Sequence, residues 1–315
     1  MKFAVVFPGQ GSQSANMLAG LRAESDTVKK TFEQASSVLG YDLWDLIAGN
    51  PDNKLDQTEY TQPAMLAAGI AVWRYWQERG LPMPQLLAGH SLGEYTALVA
   101  AQSLSFESAL RAVQQRGRLM QQAVPPGAGA MAAILGLEDD QVRSVCAAAT
   151  AGKEIVQAVN FNAPGQVVIA GTATAVAKAM AEATAAGAKR ALPLPVSVPS
   201  HSSLMKEAAT ALSAYLRTIE FKASIMPVLH NIDAAPRQSP GAIIDALEAQ
   251  LYSPVLWVKS VQRMANEGIN TILEFGPGKV LAGLCKRIDK NLAITAVDSP
   301  EGMEKAVAAV SGTGT

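Results

Sequence analysis

Short apolar runs alternate with longer stretches of helical periodicity along most of the chain. Residues 2–7 (KFAVVF) form an apolar run that stops at Pro8-Gly9, which predicts a buried strand. Residues 61–79 repeat apolar positions at helical spacing and stop at Gly80. A short strand over 85–89 and a helix over 92–101 follow, then a helix over 105–122 with Ser105 as its N-cap. Further on, the pattern predicts a strand near 227–231 and helices near 241–251 and 255–267. A strand over 271–275 and a helix after Gly278 close the series. Strands that alternate with helices pair in parallel, so the expected fold class is α/β with a mostly parallel sheet covered on both faces.

Between 128 and 194 the rhythm changes. Strands are predicted over 130–135, 155–161, 166–170 and 189–194, with helices over 139–150 and 173–186. The order βαββαβ is the ferredoxin-like unit. Pro125-Pro126-Gly127 marks one end, and Pro193, Pro195 and Pro199 mark the other. This predicts a small ferredoxin-like domain over 128–195. It would be inserted into a larger α/β-hydrolase-like domain made of 1–127 and 196–310, with a cleft between them. The polar residues 311–315 read as a tail.

Composition limits the chemistry. Hydrophobic residues are 49% and charged residues 17%, enough apolar material for a large core and too little charge for a disordered chain. Lys and Arg total 26 against 27 Asp and Glu, a balance that argues against a nucleic-acid binder. The two cysteines, Cys146 and Cys285, make no disulfide framework, and no Cys/His cluster has zinc spacing, so no metal is expected. The apolar run at the start is shorter than a signal peptide needs, and no stretch approaches the roughly 18–20 apolar residues of a membrane span. The expectation is a cytoplasmic protein with no membrane contact, monomeric by default. Only three histidines, His90, His201 and His230, can titrate near neutral pH.

Residues 89–93 read Gly-His-Ser-Leu-Gly, a G-x-S-x-G pattern between a predicted strand and a predicted helix. A sharp strand-to-helix turn forces the serine into an unusual conformation, and small neighbours relieve the crowding. The turn lifts the Ser91 hydroxyl clear of the sheet. It also sets the Leu92 N–H at a helix N-terminus, where it can stabilise an oxyanion. The pattern also occurs by chance in ordinary turns, so a nucleophilic serine needs a base. His90 adjoins Ser91 and its ring should face the other way, which makes it structural. His230 ends an apolar run and reads as a satisfied histidine at a strand end. His201 lies in VSVPSHSS, an exposed-looking turn, and is the candidate base by elimination. No acidic residue stands out as its orienting partner, a place that a backbone carbonyl or an amide can fill.

Several polar residues accompany this pair. Gln10 sits between glycines after the first strand, in a loop that lacks the third glycine of a dinucleotide fingerprint and the Gly-Lys of a P-loop. It suits an amide aimed into the site from the sheet edge. Arg116 and Arg118 lie in the 105–122 helix, and Arg118 reads as solvated. Asn160 and Asn162 flank Phe161 at a strand end.

With these residues assembled, the chain resembles the malonyl-CoA:acyl-carrier-protein transacylases of bacterial fatty acid synthesis. The matching segments run from end to end: FPGQGSQ, TQPA at Thr61, GHSLGEYTALVAA around Ser91 and QRG at Gln115. GAMAAILG, VNFNAPGQVVIAG, GAKRALPLPVSVPSHSSLM, QLYSPVLW and EFGPGKVLAGL continue the series. The resemblance implies that Ser91 attacks the thioester of malonyl-CoA and His201 takes its proton. The Gln10 side chain and Leu92 N–H would bind the oxyanion, and the Gln250 backbone carbonyl would orient His201. Arg116 would pair with the malonyl carboxylate, as a guanidinium fork does best. Asn160, Asn162 and Gln166 would neighbour the phosphopantetheine arm. The implied partners are malonyl-CoA and holo-acyl carrier protein, with no cofactor. Carrier proteins of this kind are acidic, so Lys189, Arg190, Lys286 and Arg287 are candidate docking charges. Ser202 stands where some relatives carry Cys, and VPSH resembles the stand-alone enzymes rather than the acyltransferase domains of polyketide synthases. A serine thioesterase or hydrolase on the same elbow is an alternative. A malonyltransferase subunit of another assembly, such as malonate decarboxylase or a polyketide synthase, is another.

Overall fold

β1 (Phe3–Phe7) is buried along its whole length because both faces of its sheet are covered. Phe3, Val5 and Phe7 point into one core, while Ala4 and Val6 point into a second on the opposite face. The structure is a computed structural model that describes residues 2–196 and 198–311.

After β1 come α1 (Ala19–Glu24), α2 (Asp26–Leu39), α3 (Leu43–Gly49) and the long α4 (Thr58–Glu78). β2 (Leu86–Gly89), α5 (Gly93–Ala100) and α6 (Phe106–Gln122) follow. Next is a run of β3 (Gly129–Leu135), α7 (Asp139–Ala149), β4 (Val156–Ala163), β5 (Gln166–Thr172), α8 (Ala173–Ala185) and β6 (Arg190–Pro193). The chain continues with α9 (Lys206–Leu216), β7 (Val228–Leu229), α10 (Pro240–Tyr252) and α11 (Trp257–Asn266). It closes with β8 (Thr271–Phe275), α12 (Val280–Ile288), β9 (Ala293–Val297) and α13 (Pro300–Ser311).

The first sheet has the order β7-β2-β1-β8-β9, and each neighbouring pair is parallel. The second has the order β4-β5-β3-β6, and each neighbouring pair is antiparallel. This second sheet is drawn wholly from 129–193 in the order βαββαβ. Residues of α7 and α8 cover one of its faces. Met131, Val159, Val168 and Ala170 form a small apolar cluster with Leu194 and Val196. Ser105 caps α6 as expected, accepting from the Ser108 N–H.

The sequence pattern does not predict α1–α3, β9 or α13. α1 and α3 are six and seven residues long, too short for a periodic signal. β9 lies at the sheet edge and is largely half-exposed, so it lacks a continuous apolar run. Ser311, expected in the tail, ends α13, and the rest of that predicted tail (312–315) lies outside the described residues. No helix among the described residues is long and apolar enough to cross a membrane.

The two glycines of GHSLG are fixed by close approach. A Cβ on Gly89 would lie 1.8 Å from the Gly93 carbonyl carbon, and one on Gly93 would lie 2.1 Å from the Phe7 carbonyl oxygen. Both contacts are with backbone, which cannot step aside. Gly283 in α12, by contrast, has nothing within 4 Å of its would-be Cβ. Gly93→Ala is expected to lower stability by about 3 kcal/mol or more. Gly283→Ala should raise it by about 0.5–1 kcal/mol, through helix propensity. Urea denaturation of both variants checks the contrast, and a Gly93→Ala protein as stable as the parent would refute the packing account.

Candidate active site

Ser91 leaves β2 with φ 51°, in the left-handed region that L-residues with a Cβ avoid. Holding it there costs of order 1–3 kcal/mol, so the surroundings must impose it. Asn231 does so directly. Its Oδ1 accepts from the Ser91 N–H at 2.7 Å, and its Nδ2 donates to the Gly89 carbonyl at 2.6 Å. Gln250 Nε2 donates to the Ser91 carbonyl at 3.0 Å. The elbow is thus pinned on both sides of the serine, and Leu92 stands at the N-terminus of α5.

His201 also has a left-handed backbone, φ 64°, and its N–H donates to the Leu251 carbonyl at 2.9 Å. Its ring is 2.7 Å from the Gln250 carbonyl at Nδ1 and 2.8 Å from Ser91 Oγ at Nε2. A carbonyl can only accept, so Nδ1 carries the proton and Nε2 is left to accept from the serine hydroxyl. The ring is 3% exposed, which corrects the expectation of an exposed turn. Burial, followed by the nearby Arg116 charge, lowers the imidazole pKa to about 3, while the Gln250 bond opposes the shift. The imidazole is therefore neutral at physiological pH.

Arg116, 1% exposed on α6, reaches the same point. Nη2 donates to Ser91 Oγ at 3.1 Å and to Gln250 Oε1 at 3.0 Å, and Nη1 donates to Gln62 Oε1 at 2.9 Å. The guanidinium also lies 5.7 Å from the Tyr95 ring centroid, and burial lowers its pKa. Arg118 points outward to Glu59, with an ion pair of 2.6 Å.

These groups open onto a cleft of about 500 Å³ at the carboxyl ends of β1 and β2. Gln10, Ser91, Arg116 and His201 line it on one side, and Met131, Asn160, Leu194 and Val196 on the other. The Gln10 amide is held by Thr58 Oγ1 at 3.3 Å. Asn160 Oδ1 is buried without a hydrogen-bond partner among the described residues. Asn162 Oδ1 accepts from His90 Nε2 at 2.8 Å. His90 was expected to face away but also lines the cleft, with its ring against Trp257 at 5.6 Å. Gln166 does not line this cleft; its Oε1 accepts from Arg287 Nη1 at 2.5 Å. Lys286 Nζ is likewise engaged, donating to the Lys290 and Leu292 carbonyls. Lys189 and Arg190 are exposed and make no ion pair among the described residues. Ser202 is buried and donates to the Pro199 carbonyl at 2.7 Å.

The chain matches the acyl transferase domain model over residues 4–300. It is 52% identical over 306 residues to the malonyl CoA-acyl carrier protein transacylase of Salmonella typhimurium, covering 97% of this chain and 99% of that one. The chain belongs to the malonyl CoA-acyl carrier protein transacylases. Solved transacylase structures agree in fold. An acyl carrier protein S-malonyltransferase from Vibrio cholerae superposes with TM-score 0.95 at 54% identity, over 97% of this chain and 100% of that one. A type II PKS acyl-carrier protein in complex with its malonyl-transacylase gives TM-score 0.96 at 50% identity, covering 98% of this chain and 100% of the matched chain.

Four polar groups of this transacylase were not picked out by sequence reasoning: Glu94, Asn231, Gln62 and the Gln250 side chain. Glu94 is fully buried. It accepts from His230 Nδ1 at 2.7 Å, from the Asn231 N–H at 2.8 Å and from Gln250 Nε2 at 3.0 Å. His230 is only half satisfied, since its Nε2 has no partner among the described residues. The one signal available was the acid in the first turn after the elbow, which reads equally well as a helix-dipole partner. No group of three His, Cys, Asp or Glu among the described residues could hold a metal ion.

Proposed function

We propose that the enzyme moves a malonyl group from malonyl-CoA to the phosphopantetheine thiol of holo-acyl carrier protein through an ester on Ser91. The carrying observation is Arg116: a buried cation 3.1 Å from the nucleophile, bonded only to neutral oxygens. Malonyl is short, so an acyl carbon bonded to Ser91 Oγ places its carboxylate within reach of that guanidinium. A neutral acetyl group would leave the cation desolvated and unpaired, which disfavours it.

Ser91 Oγ attacks the thioester carbon while its proton passes to His201 Nε2. The oxyanion is met by the Leu92 N–H and the Gln10 amide, which has a second N–H besides the one donated to Thr58. The C–S bond breaks, and the proton returns from His201 to the CoA thiolate. In the second half, His201 takes the proton of the carrier's pantetheine thiol and the sulfur attacks the ester. Ser91 Oγ leaves with that proton. Only a proton and an acyl group move, so the steps call for no redox or metal cofactor. Residues 128–195 act as a small domain closing the cleft over the pantetheine arm, beside Asn160 and Asn162. The enzyme works as a cytoplasmic monomer in this reading.

Intact-mass spectrometry tests the proposal. Incubation with malonyl-CoA should add one malonyl group to the protein, and holo-carrier protein should then remove it and gain the same mass. An adduct lost to water at the same rate with and without carrier would indicate a hydrolase instead.

Lys189 and Arg190 are the favoured docking charges, because Lys286 and Arg287 are tied to their own neighbours. Reversing both to Glu should raise the KM for carrier protein about 3- to 10-fold and leave the KM for malonyl-CoA in place. Steady-state kinetics with each substrate varied in turn reads this out, and an unmoved carrier KM would place docking elsewhere.

A further inference from the structure

Arg116 is unusual for so deeply buried a cation. A guanidinium removed from water is normally balanced by a carboxylate, because an isolated buried charge is costly. Among the described residues Arg116 forms no salt bridge. The groups it touches carry no charge to balance it: the amide oxygens of Gln62 and Gln250, the Ser91 hydroxyl and Tyr95. The buried carboxylate whose field reaches it, Glu94, is occupied by His230, Asn231 and Gln250. Gln62 sits on α4, fully enclosed, with its Nε2 against Met120 Sδ at 3.5 Å. Its amide oxygen therefore faces the guanidinium in a fixed orientation. An amide oxygen orients a cation as a carboxylate would, but it carries no net charge to cancel it.

We infer that Gln62 is a specificity-determining residue. With the Gln250 side chain, it positions Arg116 through uncharged acceptors and so reserves the positive charge for the acyl group. This rests on the malonyl-transfer reading. Gln62 acts through Arg116 and is a positioning residue. The shape of the pocket requires a planar acceptor at this place, and selectivity requires that it be an amide.

Gln62→Glu separates shape from charge, since it is isosteric and supplies the missing carboxylate. The expected result is at least a tenfold fall in kcat/KM for malonyl-CoA and a rise for acetyl-CoA, so that their ratio moves by about 100-fold. Gln62→Leu removes the acceptor and leaves the cation unbalanced. It should lower malonyl transfer without the acetyl gain. Labelling of Ser91 by a neutral sulfonyl fluoride should still occur in both variants, because the direct Ser91–His201 contact does not involve Gln62. The melting temperature of Gln62→Glu should equal or exceed that of the parent. Three results overturn the inference: an unchanged malonyl-to-acetyl ratio in Gln62→Glu, an equal acetyl gain in Gln62→Leu, or a Gln62→Glu protein that does not fold. In the last case the site had no charge left to balance. Parent protein that acquires no malonyl adduct would instead remove the transfer reading itself.

Discussion

Replacing Ser91 by alanine abolishes the malonyl adduct and lowers kcat/KM for transfer by at least about 10⁴-fold. The expectation follows from two distances meeting at one atom. Ser91 Oγ is 2.8 Å from His201 Nε2, the base in the proposed mechanism, and 3.1 Å from Arg116. Without that oxygen there is no acyl acceptor, and a water in its place lacks the bonds that hold the serine. The pair acts as a unit, so the double variant Ser91→Ala/His201→Ala should be no worse than Ser91→Ala alone. The fold should survive, because the pins on the elbow are bonds to backbone: Asn231 to the Ser91 N–H and Gln250 to its carbonyl. Intact mass and circular dichroism of the single and double variants test this. A persistent adduct in Ser91→Ala would place the nucleophile elsewhere.

The second large effect is on selectivity. Arg116→Ala should cut kcat/KM for malonyl-CoA by about 10²–10³-fold, the loss of about 3–4 kcal/mol expected for a desolvated, charge-assisted fork. Acetyl-CoA, which never used the fork, should be accepted as well as before or better, since the penalty of an unpaired cation is gone. Arg116→Lys should recover only part of the malonyl rate, because an ammonium cannot make two parallel bonds. Competition between the two thioesters in a single assay gives the ratio directly. An unchanged preference for malonyl would refute the clamp.

The sequence made the elbow legible because its constraint is local. Glycines at 89 and 93 are dictated by backbone within a few residues or by β1, and a strand–turn–helix pattern carries that constraint. His201 emerged because histidines are scarce, yet its setting was misjudged. Prolines and serines around it suggest an open turn, whereas the Leu251 and Gln250 carbonyls draw it inside. The ferredoxin-like rhythm was legible for the same reason as the elbow, since each strand and helix is bounded by its own turn signals. Groups that matter only through distant partners stayed hidden. Glu94, Asn231 and Gln250 are 137 or more residues apart across two of their three contacts, and nothing in a linear pattern announces a hydrogen bond of that span. Gln166, placed beside the arm by resemblance, is bonded to Arg287, a partner 121 residues away that no local pattern announces.

The segment joining α10 to α11 is held on several sides. Val255 exchanges backbone bonds with Val159 and Phe161 of β4, the Leu256 N–H reaches the Asn231 carbonyl, and the Leu251 carbonyl receives the His201 N–H. The antiparallel sheet is thereby spliced into the frame that carries the base. A chimera that exchanges 128–195 for the matching segment of another transacylase would be cut at the wrong seam if it stopped at the ends of that segment. The donor's β4 has to meet its own version of 250–256, or the imidazole will be handed a support built for a different strand.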